Sequence, residues 1–110
     1  MSKMRSGKQF ESEISHALRI FKQSHGLSFF WHKLADTYTF IRIKNFIAPK
    51  QPCDYIALYK GQFYALEAKS TRGKNFRYDW LKPHQRKALR EVVRAGGIGI
   101  LLISFRKQRP

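Results

Sequence analysis

An α/β sandwich, with a mixed central β-sheet flanked by helices, is the architecture this sequence predicts. Two stretches, about residues 7–23 and 83–95, repeat apolar side chains at helical spacing. The segments between and after them are rich in β-branched and aromatic residues and are bounded by glycine and proline, as strands are. The closing order of strand, helix, strand implies a right-handed crossover with parallel pairing, whereas the earlier strands suit antiparallel hairpins.

In chain order, Ser6 with Gln9 reads as a capping box that opens the first helix. Its apolar stripe is Phe10, Ile14, Ala17, Leu18 and Phe21, and Gly26 marks its end. Residues 27–34 and 37–46 read as two strands, and residues 48–52, with two prolines, as a loop. Residues 54–59 and 62–69 form a hairpin about Lys60-Gly61, where glycine takes the positive φ of a tight turn. Residues 70–80 are polar, basic and aromatic, with no clear periodicity. Pro83 suits the first position of the last helix, Gly96-Gly97 stops it, and residues 98–105 form a buried strand.

Composition narrows the partners. The 110 residues suit one domain, expected over residues 1–110 with basic arms at about 1–6 and 106–110. A hydrophobic content of 43% excludes wholesale disorder. Twenty-two Lys and Arg against seven Asp and Glu give a net charge of +15, whose self-repulsion is best offset by a polyanion, nucleic acid by default. No apolar run approaches the length of a membrane span, and the basic residues 1–5 have no apolar stretch behind them, so neither a membrane partner nor a signal peptide is expected. The one cysteine, Cys53, excludes an internal disulfide and fits a reducing compartment. The expected location is intracellular: a cytoplasm, the host's if the chain is viral.

Acidic residues are scarce, so the cluster of Asp54 with Glu67-Ala68-Lys69 stands out. A symmetric turn about Lys60-Gly61 places Tyr59 opposite Gln62 and, counting back, Asp54 opposite Glu67. Opposed side chains share one face, roughly 5 Å apart at Cβ. Lys69, two residues beyond Glu67, points to that face as well. Carboxylates so close repel unless a cation lies between them, and a hard divalent ion such as Mg²⁺ suits this role. It would activate water and stabilise charge at a phosphodiester, assisted by Lys69. On geometry alone an equal alternative stands: Asp54 caps the start of a strand, and Glu67 pairs structurally with Lys69.

Pro52-Cys53-Asp54 followed by Glu67-Ala68-Lys69 resembles the motif of the PD-(D/E)xK nuclease superfamily, with cysteine in an unusual place between Pro52 and Asp54. Gly7-Lys8-Gln9-Phe10-Glu11 resembles the Gly-x-x-Phe-Glu opening of Holliday-junction resolvases of the archaeal and RecU types. His84-Gln85, then Gly96-Gly97 and an apolar strand, resembles the end of the RecU type. The resemblance runs in order from Gly7 to about Phe105. It implies a restriction-endonuclease-like fold and a homodimeric, Mg²⁺-dependent enzyme, with Mn²⁺ as a substitute ion, that nicks four-way DNA junctions symmetrically. It further implies that Glu11, Asp54 and Glu67 are metal-site carboxylates, that Lys69 is the catalytic lysine and that Gln85 supports them. No long insertion separates Glu11 from Asp54, which implies that a junction-entering stalk is reduced or missing. Helical spacing does not choose between Glu11 and Glu13; the match chooses Glu11. Gln85 shares a face with Ala88, Leu89 and Val92, so a helix-terminus hydrogen bond is an equal alternative for it. The competing functions are a restriction-like or repair nuclease on other DNA structures, and a non-catalytic DNA-binding module.

Arg5, Lys8, Arg72, Lys74, Arg77, Lys82, Arg86, Lys87, Arg90 and Arg94 are the expected DNA contacts, with Lys3, Arg106, Lys107 and Arg109 in the arms. On the last helix Lys87, Arg90 and Arg94 share a face and only Glu91 intervenes, which favours phosphate contacts over a merely solvated face. Phe76, Tyr78 and Trp80 can stack on unpaired bases, although core or dimer-interface packing is the commoner use of such rings. The four histidines are scattered and, with one cysteine, show no zinc spacing.

If about six to ten phosphates are contacted, affinity for junction DNA should fall roughly 10³- to 10⁵-fold between about 50 and 200 mM salt. A salt titration of binding checks this, and a nearly flat curve would contradict it.

Overall fold

A computed structural model of the chain describes residues 4–35 and 50–106, with side chains from residue 7 onward. Helix α1 (Met4–His25) begins earlier than expected, so Ser6 lies inside it and is not its cap. Gly26, at φ +52, ends it as a left-handed C-terminal residue, and a 3₁₀ turn (Gly26–Ser28) follows. That turn shortens the first strand to β1 (Phe29–Lys33). The strand expected over 37–46 lies outside the described residues. β2 (Tyr55–Tyr59) and β3 (Gln62–Thr71) form the expected hairpin. Both turn residues, Lys60 and Gly61, have positive φ, the pairing that matches a two-residue hairpin loop to strand twist. Residues 78–80 make a second 3₁₀ turn, α2 spans Pro83–Arg94, and β4 spans Ile98–Phe105.

The sheet order is β1-β2-β3-β4. The first two pairings are antiparallel, and β3 with β4 is parallel. This is the predicted mixed sheet, and the restriction-endonuclease-like expectation is consistent with it. Alternation along each strand divides the sheet into two apolar faces. Ile14 of α1 packs on Phe29, Tyr55, Ala57, Leu66 and Ala68, with Phe10, Leu18 and Phe21 alongside. On the opposite face Leu89 of α2 packs with Leu81, Ala65 and Cys53, and Ile56, Phe76, Val92 and Leu101 complete the cluster. A Cβ on Gly99 would lie 3.3 Å from the Leu89 carbonyl oxygen, so glycine allows α2 to press on β4. Glu67 has the strand parity of Ala65, and Asp54 that of Ile56. Both therefore belong to the α2 face.

Tyr55 ties α1 to the sheet. It is fully buried, and its hydroxyl donates to the Glu11 carbonyl at 2.7 Å. Its single proton being used there, it accepts from Ser15 Oγ at 3.0 Å. Tyr55→Phe keeps the packing and removes both bonds. It should lower stability by about 1–3 kcal/mol in urea unfolding with an unchanged m-value.

Candidate active site

Asp54 sits just before β2 begins, held from both sides. Its carbonyl accepts Leu34 N–H at 2.9 Å, and its own N–H donates to the Leu66 carbonyl at 3.0 Å. The ladder therefore departs from the hairpin register one residue beyond Tyr55–Leu66. The Asp54 side chain then takes over the next bond: Oδ2 accepts the Ala68 N–H at 2.8 Å. Asp54 is thus bonded to the residues on either side of Glu67, and the two carboxylates come together, through a local departure from the expected register.

Glu67 is buried to 2% exposure in the sheet. Its Oε2 accepts Gln85 Nε2 at 2.9 Å and lies 3.4 Å from Lys69 Nζ. Its Oε1 is buried and has no hydrogen-bond partner among the described residues. An orphaned oxygen on a buried carboxylate is costly and marks a place for a missing positive group. Burial, then the charge of Asp54, pushes the Glu67 carboxyl up to about 7, against the opposing pull of Lys69. A hard cation bridging Asp54 and Glu67 would relieve both causes, and two carboxylates plus water are a donor set that suits one. Gln85 makes two contacts at once. Its Oε1 accepts the Lys82 N–H at 3.0 Å, closing the start of α2, while its amide nitrogen holds Glu67.

Glu11 is placed differently. It lines the same cavity, of about 860 Å³, as Asp54, Glu67 and Gln85. Yet its Oε1 pairs with Lys33 Nζ at 3.1 Å. Lys33 stands opposite Tyr55 and over its ring, on the α1 face. Glu11 therefore approaches around the end of the sheet, whereas Asp54 and Glu67 rise from the other face. Among the described residues no three His, Cys, Asp or Glu side chains gather closely enough to hold one ion.

The cavity rim is cationic. Lys8, Lys50, Lys82 and His84 line it. Desolvation, then Lys50, Lys82 and Lys69, hold His84 below its ordinary range. Lys50 and His84 were not among the expected DNA contacts; His84 stood in sequence only as the neighbour of Gln85, and nothing in the spacing of Lys50 marks it for this rim. Lys33 and Tyr55 were equally hidden, because their partners are 22 and 44 residues away in sequence. Cys53 also lines the cavity, but burial and the Glu67 charge push its thiol up to about 11, so it stays protonated and inert.

Other expected contacts divide. Arg72, Lys74, Lys87, Arg90 and Arg94 are exposed. Arg77 pairs with Asp79 at 2.8 Å. Arg86 is turned inward, donating to the carbonyls of Leu81 and Asp79, which occupies it in holding the 78–80 turn against α2. Phe76 packs in the core, edge-on to Trp80, while Tyr78 and Trp80 are about half exposed. The side chain of Arg5, together with Lys3, Lys107 and Arg109, lies outside the described residues. No helix among the described residues is long and apolar enough to cross a membrane.

A family model described as "RecU: Recombination protein U" matches residues 5–110. The Holliday junction resolvase RecU of Mycoplasmopsis pulmonis is 43% identical over 53 residues, 48% of this chain and 34% of that protein. Its namesake in Ureaplasma parvum is 28% identical over 113 residues, 96% of this chain and 64% of that protein. The chain thus spans less than two thirds of the length of either relative.

The raised carboxyl of Glu67 predicts how stability varies with pH. The folded chain binds this proton more tightly than the unfolded chain, whose ordinary value is 4.5. The resulting stabilisation is complete below that value and is lost as pH rises through about 7. In EDTA the Tm of wild type should therefore fall between about pH 5 and 8 more than that of Glu67→Gln, which cannot titrate. Parallel Tm profiles would remove burial as the cause.

Proposed function

The chain belongs to the RecU family, and from that membership and the Asp54–Glu67–Lys69 geometry we propose that it is a Mg²⁺-dependent endodeoxyribonuclease that resolves four-way (Holliday) junctions. The observation that carries the chemistry is the buried, unpartnered Oε1 of Glu67 beside a second carboxylate and an ammonium. In this reading Asp54 and Glu67 hold the ion, with Mn²⁺ as a substitute, and Glu11 completes its environment from the cavity wall. When bound, the ion supplies an activated water and neutralises charge on the scissile phosphate. Lys69 stabilises the negative charge that builds on the phosphoryl oxygens during attack. Gln85 fixes the rotamer of Glu67, so that the carboxylate is oriented before substrate arrives. Lys8, Lys50 and Lys82 draw flanking phosphates over the cavity, and Arg72, Lys74, Lys87, Arg90 and Arg94 extend that path, with basic arms at 1–6 and 106–110.

Paired symmetric nicks need two centres, so the proposal includes a two-fold homodimer. Its setting is DNA recombination and repair, in the cytoplasm where the DNA lies. A second reading has one observation in its favour: Asp54 Oδ2 caps the Ala68 N–H, as a structural carboxylate in a DNA-binding module would.

The deciding experiment is cleavage of an end-labelled four-way junction in Mg²⁺, beside a linear duplex of the same arm sequence. Paired symmetric nicks on the junction alone support the proposal. Equal cutting of the duplex would move the same centre to a restriction-like or repair nuclease. Tight binding without cutting would favour the binding module. Asp54→Ala and Glu67→Ala should each abolish cleavage and leave junction affinity within about three-fold; cutting retained by both would remove the metal centre.

A further inference from the structure

Outside the carboxylate cavity, a second concave surface lies over β4, between α2 and the 3₁₀ turn at residues 78–80. This groove, of about 360 Å³, is lined by Tyr78, Leu89, Arg90, Val93, Arg94 and Leu101, with Gly99 in its floor. Its walls are apolar, its lining holds two guanidinium groups, and none of its lining residues is acidic. Tyr78 and Val93, which both line the groove, remain 53% and 57% exposed. The turn that carries Tyr78 is held in place: Arg86 donates to the carbonyls of Asp79 and Leu81 on either side of Trp80. Tyr78 is thus an exposed ring on an anchored support.

The groove is also close to the proposed chemistry. Leu101 is the register partner of Glu67 across the β3–β4 pairing, one strand spacing of about 4.8 Å away. Along α2, Arg90 and Arg94 lie five and nine residues beyond Gln85, or roughly 8 and 14 Å at 1.5 Å per residue. Stacked nucleotides rise about 3.4 Å each, so this span corresponds to two to four of them.

We propose that this groove is a subsite for one unstacked nucleobase of the bound DNA, two to four nucleotides from the phosphate held at Asp54 and Glu67. The proposal rests on the nuclease reading above and adds to it the source of branch selectivity. A base stacked on both sides in duplex cannot enter a groove walled by Val93 and Tyr78, whereas a base freed at a branch point can. The ring and apolar wall meet its faces, and Arg90 and Arg94 meet the phosphates that flank it. A groove of this size is near the lower end for small-ligand sites and suits a single planar group. The two arginines favour DNA over a second copy of the chain as occupant, because a two-fold contact here would bring like charges together.

Single 2-aminopurines placed at each of the four nucleotides on either side of the branch point test this, in EDTA, with wild type, Tyr78→Ala and the uncharged Val93→Asn. In wild type, binding should change the emission at one position. That change should vanish in both variants, with junction affinity about five- to a hundred-fold weaker and duplex affinity within two-fold. Silence at every position, or a response that persists in both variants, overturns the subsite. So does a shift of both variants from dimer to monomer in light scattering, which would make the groove a contact between copies. Junction cleavage that proceeds with silent probes overturns the subsite alone. Wild type that binds junction no better than duplex overturns the junction reading and the subsite with it.

Discussion

Burying the carboxylate of Glu67 inside the central sheet is the constraint to which the neighbouring structure answers. A carboxylate at 2% exposure is unfavourable by several kcal/mol unless its oxygens are satisfied. Two of the elements around it supply partners, and a third adds to the cost. β3 contributes Lys69, α2 contributes Gln85, and the start of β2 brings Asp54 so close that its charge adds to the strain. Among the described residues one oxygen is left without a partner, and apolar packing on both faces of the hairpin offsets that local cost.

Several groups at this site tie more than one element together. Gln85 closes the first turn of α2 with its oxygen and holds Glu67 with its nitrogen, so any rotation of α2 would move the carboxylate. Asp54 replaces a missing backbone acceptor for Ala68 and thereby stays beside Glu67. Tyr55, the next residue, anchors the backbone of Glu11 through its hydroxyl. The carboxylates are consequently set by elements of regular structure, which hold geometry more tightly than loops do.

The large positive charge is not spent uniformly. Lys33 and Arg86, in sequence indistinguishable from the other cations, are drawn into an ion pair with Glu11 and into carbonyl contacts at the 78–80 turn. Others converge on the cavity rim, where Lys50 and Lys82 are near enough to depress His84. Gathering like charges around an opening is unfavourable for an isolated protein and favourable once an anionic strand lies across it. A field of this kind attracts phosphate from any nucleic acid and does not by itself distinguish one DNA shape from another.

Much of this was legible in sequence because it is local or periodic. Two-residue alternation and a Lys-Gly turn set the hairpin register from Tyr55–Leu66 to Tyr59–Gln62, while Asp54 reaches Glu67 through bonds to Leu66 and Ala68 that leave that register. Helical periodicity and the Pro83 start located α2 and pointed Gln85 inward, and the strand–helix–strand order implied parallel pairing. Residues 70–80 carried no period to read, and the start of α1 was misjudged because a capping-box pattern can also occur inside a helix. What only the tertiary structure decided are contacts between distant segments. Glu11 pairs with Lys33 across the end of the sheet, Arg86 turns inward, and Lys50 joins His84 at the rim. A charged side chain on a helix face looks the same in sequence whether it meets solvent, phosphate or carbonyl. Its partner is chosen by the packing of elements far apart in the chain, and sequence periodicity holds no information about that choice.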